Sequence, residues 1–202
     1  MIKAITFDYD GVIKMKEGDI FGDICNYLNI KREDWEREYF LVNHLINTNQ
    51  KSVAEVISSV VLKFTDNKEL ETGVLDLIKN HKNIYYLNDE LIEFIKDLKD
   101  RDYKVALLSN NSIKLKQRLI EDGIADLFDW VIISAEVGYQ KPQPEIFDLL
   151  FKKLEVEPSE VVFIDDSLRS LEGADQIGYI PVLFKDNETL KSELSKILGE
   201  KI

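Results

Sequence analysis

The chain has 202 residues, 45% of them apolar and 32% charged, a globular balance with enough material for one sizeable core. Its 26 basic and 38 acidic residues leave a net charge of −12, a surface that repels nucleic acid and anionic membranes. A small anionic substrate stays compatible where a metal ion or a lysine reverses the sign locally. The single cysteine, Cys25, excludes an intrachain disulfide, and no apolar run approaches the roughly 18 residues of a membrane span.

Residues 2–7 are a short apolar run of β-formers that ends in Asp8-Tyr9-Asp10-Gly11, a strand followed by a turn. Asp8 comes too early for a secretory signal, so a cytoplasmic chain, monomer or homodimer, is expected. From about residue 15 to 87 the period becomes helical. Ile20, Phe21, Ile24, Cys25 and Leu28 form one stripe, and Trp35, Tyr39, Val42 and Ile46 a second. Val53, Val56, Ile57, Val60, Val61 and Phe64 form a third, opened by a capping box from Ser52 to Glu55. Leu70, Val74, Leu77 and Ile78 form a fourth, with Asp66 and Glu69 as a second box. Four amphipathic helices with no strand between them predict a small bundle. Lys14 and Lys16 read as a solvated hinge leading into it.

From about residue 88 helices and strands alternate. Helices are predicted around Leu91–Leu98, 113–121, 144–154, 168–176 and 188–198, and strands at 103–108, 130–133, 161–164 and 180–184. Strands apolar throughout and separated by helices imply a parallel sheet covered on both faces. The expected fold is therefore α/β, a Rossmann-like core from residues 1–14 and 88–202 with a four-helix cap at 15–87.

In an open parallel sheet, ligands bind beyond the carboxyl ends of the strands. Asp8 and Asp10 follow the first strand, Ser109 and Asn110 the second, and Asp165 and Asp166 the fourth. The loop after the third carries Lys141 and ends at a helix start. Clustered carboxylates need a cation to ionise together, and oxygen ligands without histidine or cysteine favour Mg²⁺. A lysine and a helix N-terminus provide positive potential for phosphoryl oxygens. The histidines, His44 and His81, fall in the helical insertion, so a nucleophile is better sought among the carboxylates. The set suits phosphoryl transfer.

Four stretches carry a family resemblance. Asp8-Tyr9-Asp10-Gly11-Val12 resembles the first motif of the haloacid dehalogenase superfamily, and Leu107-Leu108-Ser109-Asn110 its second. The stretch from Gly138 to Phe147, with Lys141, resembles the third, and Phe163-Ile164-Asp165-Asp166-Ser167 the fourth, followed by Glu172-Gly173-Ala174. The motifs occur in the family's order, and the insertion after the first is similar to the cap of subfamily I.

The resemblance implies that Asp8 attacks phosphorus and that Asp10 moves the proton of the leaving oxygen and later of water. It implies that Ser109 and Asn110 bind the phosphoryl group with Lys141, which also holds Asp8. It places Mg²⁺ on the Asp8 carboxylate, the Asp10 backbone carbonyl and Asp166, with Asp165 as a second ligand or outer support. The sequence departs from the pattern at Ser170, where the family has Asp or Asn, and weaker Mg²⁺ binding is expected there. The implied activity is a Mg²⁺-dependent phosphatase of a small phosphorylated metabolite. A phosphosugar mutase is the nearest alternative, followed by a haloacid dehalogenase and a phosphoacceptor domain.

Overall fold

The β-forming run after the N-terminus becomes β1 (Ala4–Phe7), and β2 (Lys14–Glu17) follows the turn. The computed structural model describes residues 1–80 and 84–200, so His81 lies outside the described residues. Next come α1 (Ile20–Leu28), α2 (Arg32–Val42), α3 (His44–Asn47), α4 (Val53–Val61), α5 (Lys68–Asn80) and β3 (Ile84–Leu87). The chain continues through α6 (Asp89–Asp100), β4 (Lys104–Ser109), α7 (Leu115–Glu121), β5 (Trp130–Ile133), α8 (Ser134–Val137) and α9 (Pro144–Leu154). It ends with β6 (Val161–Asp165), α10 (Ala174–Ile177), β7 (Ile180–Leu183) and α11 (Asn187–Leu198). Two compact units result: Met1–Met15 with Tyr86–Ile202, and Lys16–Tyr85.

In the first unit five parallel strands run in the order β5-β4-β1-β6-β7. Strand alternation sorts the apolar side chains onto two faces. Ile5, Phe7, Val105, Leu107, Val162 and Ile164 pack with Leu91, Ile95 and Leu98 of α6, Leu115 and Leu119 of α7, and Leu190 and Leu194 of α11. Ala4, Ala106, Leu108 and Phe163 face Ile146, Phe147 and Leu150 of α9. Both faces are covered, which is why these strands read as continuous apolar runs. The strand order reverses at β1. Ligand crevices form at such a point, so the carboxyl ends of β4, β1 and β6 are the place to look.

The second unit is helical, its core built on Ile24, Cys25, Trp35, Ile57, Val60, Val61 and Val74. The Ser52–Glu55 capping box opens α4 with both reciprocal hydrogen bonds. Burial pushes the Cys25 thiol up, which makes it a packing group rather than a nucleophile.

Several expectations need correction. The stretch read as strandless is flanked by β2 and β3, which pair as a two-stranded sheet and are too short and polar to show a clear period. The second helical stripe spans two helices, α2 and α3, so the unit has five helices among the described residues. Asn67, not Asp66, caps α5, its Oδ1 taking the Glu69 N–H at 2.8 Å. Lys14 is no solvated hinge residue: its ammonium pairs with both Asp122 oxygens at 2.8 Å. Residues 134–142 are not all loop, since α8 occupies their start, and the helix expected at 168–176 shrinks to α10. Among the described residues no helix is long and apolar enough to cross a membrane.

Candidate active site

The parallel register places the carboxylates. Phe7 pairs with Ile164 on one side and Leu107 on the other, so one step further Asp8 lies beside Asp165. The Asp8 N–H donates to the Ile164 carbonyl at 2.9 Å, which extends the ladder to the nucleophile candidate. Ser109, the last residue of β4, is buried one strand over.

Lys141 comes from the loop before α9 and ends between the two aspartates. Its Nζ lies 2.8 Å from Asp8 Oδ1 and 2.6 Å from Asp165 Oδ2, with the lysine side chain 1% exposed. Burial alone would lower its pKa, but the charges of Asp8 and Asp165 outweigh this and hold it above the usual lysine value. Asn110 fixes the backbone of the same lysine. Its Oδ1 takes the Lys141 N–H at 2.8 Å and its Nδ2 donates to the Lys141 carbonyl at 3.0 Å. The Asn110 amide is thus engaged in placing Lys141.

Asp165 accepts Lys141 on Oδ2 and the Ser167 N–H on Oδ1 at 2.8 Å, so both of its oxygens have protein donors. Asp166 is more open. Loss of hydration, then the charges of Asp8 and Asp165, push its carboxyl up to about 6. Gly11 explains how Asp166 comes so close to the first turn. A Cβ there would stand 2.2 Å from Asp166 Oδ2, and its φ of +81° already favours glycine.

Asp10 turns to a different neighbour. Its Oδ2 accepts from Asn111 Nδ2 at 2.7 Å. Although part of the residue is exposed, loss of hydration at the carboxyl and then the Asp8 charge raise its pKa.

One carboxylate oxygen each from Asp8, Asp165 and Asp166 lies within 4.8 Å of the others. The buried Asp8 Oδ1 has an ion pair with Lys141 but no aligned hydrogen bond. An all-oxygen donor set, an excess of negative charge over Lys141 and a raised Asp166 together fit a hard divalent cation. His44 opens α3 in the helical unit.

The structure thus brings together Asp8, Lys141, Asp165 and Asp166, with Asn110 supporting the lysine and Asp10 on an arm of its own. Two residues escaped sequence reading: Asn111, which holds Asp10, and Arg118, which holds Asn111. The only available signal was a run of four polar residues, Ser109 to Ser112, after an apolar strand.

A family model for haloacid dehalogenase-like hydrolases matches residues 2–178. Glyceraldehyde 3-phosphate phosphatase of Methanothermobacter thermautotrophicus is 32% identical over 204 residues, covering 94% of this chain and 88% of that protein. Bifunctional epoxide hydrolase 2 of Rattus norvegicus is 29% identical over 120 residues, 56% of this chain, which spans only 21% of that longer protein. A family enzyme of Bacteroides thetaiotaomicron, solved with magnesium and inorganic phosphate, is similar in fold with a TM-score of 0.64. It is 20% identical and covers 94% of this chain and 99% of that one.

Proposed function

The chain belongs to the haloacid dehalogenase-like hydrolases, and on that premise we propose that it is a Mg²⁺-dependent phosphatase of small phosphomonoesters working through an aspartyl-phosphate on Asp8. One observation carries the reading. A buried lysine stands 2.8 Å from Asp8 Oδ1, between that carboxylate and Asp165. Such a lysine gives a buried nucleophilic carboxylate its counter-charge.

A carboxylate oxygen of Asp8 attacks phosphorus, and the bond to the ester oxygen breaks as that oxygen takes the proton of Asp10. Water then attacks phosphorus while the Asp10 carboxylate takes its proton, and the bond between phosphorus and the Asp8 oxygen breaks, which releases inorganic phosphate and returns Asp8 as a carboxylate and Asp10 with its proton. Ser109 and Lys141 provide donors to the phosphoryl oxygens. Asn110 and Asp165 act by positioning Lys141. Asp8, Asp166 and the Asp10 backbone carbonyl would hold Mg²⁺, which when bound supplies charge stabilisation for the transferring phosphoryl group. The likeness to a glyceraldehyde 3-phosphate phosphatase favours a short sugar-type alkyl phosphate.

The test is hydrolysis of p-nitrophenyl phosphate with and without Mg²⁺, by the natural chain and by Asp8→Asn, followed by a panel of sugar phosphates beginning with glyceraldehyde 3-phosphate. Metal-dependent phosphate release abolished by Asp8→Asn is expected. Turnover that survives Asp8→Asn would refute the mechanism. Conversion of a hexose 1-phosphate to its 6-isomer without free phosphate would make the chain a mutase.

A further inference from the structure

Asp10 must carry its proton to a defined point in space, yet it sits on a turn with part of its surface in solvent. Asn111 holds it there. The Asn111 backbone is anchored first: its N–H donates to Ser134 Oγ at 3.0 Å, and Ser134 Oγ donates back to the Asn111 carbonyl at 3.3 Å. The amide orientation is then forced. Oδ1 receives both the Ser112 N–H, at 2.8 Å, and the Arg118 guanidinium, so that atom is the carbonyl oxygen. The NH₂ group is left facing Asp10 Oδ2 at 2.7 Å.

Arg118 is itself placed by a second set of contacts. Its guanidinium lies over the Tyr9 ring, 5.7 Å from the centroid. Tyr9 OH donates to Asp122 Oδ2 at 2.9 Å, and Lys14 pairs with the same carboxylate at 2.8 Å. Tyr9 and Lys14 flank the turn that bears Asp10, while Arg118 and Asp122 lie on or just beyond α7. The turn is therefore fastened to α7 at two points, by Asn111–Arg118 and by Tyr9–Asp122–Lys14.

Resting on the phosphatase reading above, we propose that Asn111, braced by Arg118, is the positioning residue that aims the Asp10 carboxyl at the leaving oxygen. Asn111 touches neither substrate nor phosphorus in this scheme. Its effect passes through Asp10, so removing it is felt in proportion to how much protonation the leaving group needs. A p-nitrophenolate leaves with little help, whereas an alkoxide requires the proton.

Asn111→Ala and Arg118→Gln are compared with the natural chain in the presence of Mg²⁺, on p-nitrophenyl phosphate by rapid mixing and on glycerol phosphate in the steady state. Asn111→Ala is expected to lower kcat on glycerol phosphate by about 10- to 100-fold, while the nitrophenolate burst rate changes by less than about threefold. KM stays nearly constant, and Arg118→Gln shows a smaller loss with the same selectivity. In an Asp10→Asn background, Asn111→Ala adds no further loss, since the two act as one unit. Equal slowing of both substrates, or additive losses in the double variant, would overturn the proposal while leaving the phosphatase reading intact. Should Asn111→Ala not fold, Asn111→Ser and Arg118→Gln carry the same criterion. A natural chain with neither burst nor Mg²⁺-dependent phosphate release refutes the phosphatase reading itself, and the role of Asn111 falls with it.

Discussion

Replacing Lys141 by Met removes the cation that stands between two buried carboxylates and keeps most of the apolar stem. At an effective dielectric of about 20, a unit charge 2.8 Å from Asp8 and 2.6 Å from Asp165 attracts each by about 6 kcal/mol. The net loss is smaller, because the lysine no longer has to be desolvated and Asp165 can take up a proton. Breaking a buried pair from one side costs about 3–5 kcal/mol. For a chain of this size that corresponds to a Tm fall of roughly 6–20 °C. The sign of the pH dependence follows from Asp165, whose pKa is raised by burial even with Lys141 in place. Without the lysine the folded state holds still more protons than the unfolded chain. Stability then declines as pH rises from the ordinary carboxylate value, about 3.8, through the raised one. The deficit of Lys141→Met is therefore least near pH 5 and fullest near pH 8, and Asp165→Asn added to it restores part of the loss at pH 8. Thermal melts of the three variants at both pH values test this. A Tm within about 2 °C of the natural chain at pH 8, or a deficit that grows on acidification, would refute the reasoning.

Other outcomes follow from the same geometry. Gly11→Ala forces a Cβ against Asp166 at a backbone angle costing about 1–2 kcal/mol, and Mg²⁺ affinity should fall about tenfold or more. Unchanged affinity by calorimetric titration would remove Asp166 from the metal. With the Asp166 carboxyl at about 6, Mg²⁺ binding should weaken about tenfold from pH 7 to pH 5, as the ionised fraction drops from about nine tenths to one tenth. Titrations giving equal affinity at the two pH values would show that this carboxylate does not compete with protons for the ion. Ser170 lies in the turn just beyond Asp166, its N–H bonded to the Ser167 carbonyl at 3.0 Å, and Ser170→Asp should tighten Mg²⁺. No gain would leave Ser170 without a part in the metal site.

Elements were legible where one interaction dominated. The strand Trp130–Ile133 and the helix Pro144–Leu154 stand in the structure with the bounds expected of them, because an apolar run and a proline-started amphipathic stripe are local signals. The Ser52–Glu55 box was legible for the same reason, since its hydrogen bonds close within four residues. The break between α2 and α3, and the strands β2 and β3, were not. Four-residue pieces carry too little period to distinguish them from their neighbours.

For the candidate site the division is similar. Strand ends followed by Asp, Ser or Lys are visible in the chain, because a covered parallel sheet must end its apolar runs where polar groups meet a crevice. The sequence alone thus determined the α/β class and the segments that deliver carboxylates, a hydroxyl and a lysine to one edge. Which groups would touch was decided only by the register of β1 with β6 and by the course of the loop bearing Lys141. Asp8 and Asp165 are 157 positions apart, and Asp10 and Asn111 are 101. Pairing across such separations depends on how the sheet and its helices pack, and no local preference of the chain encodes it.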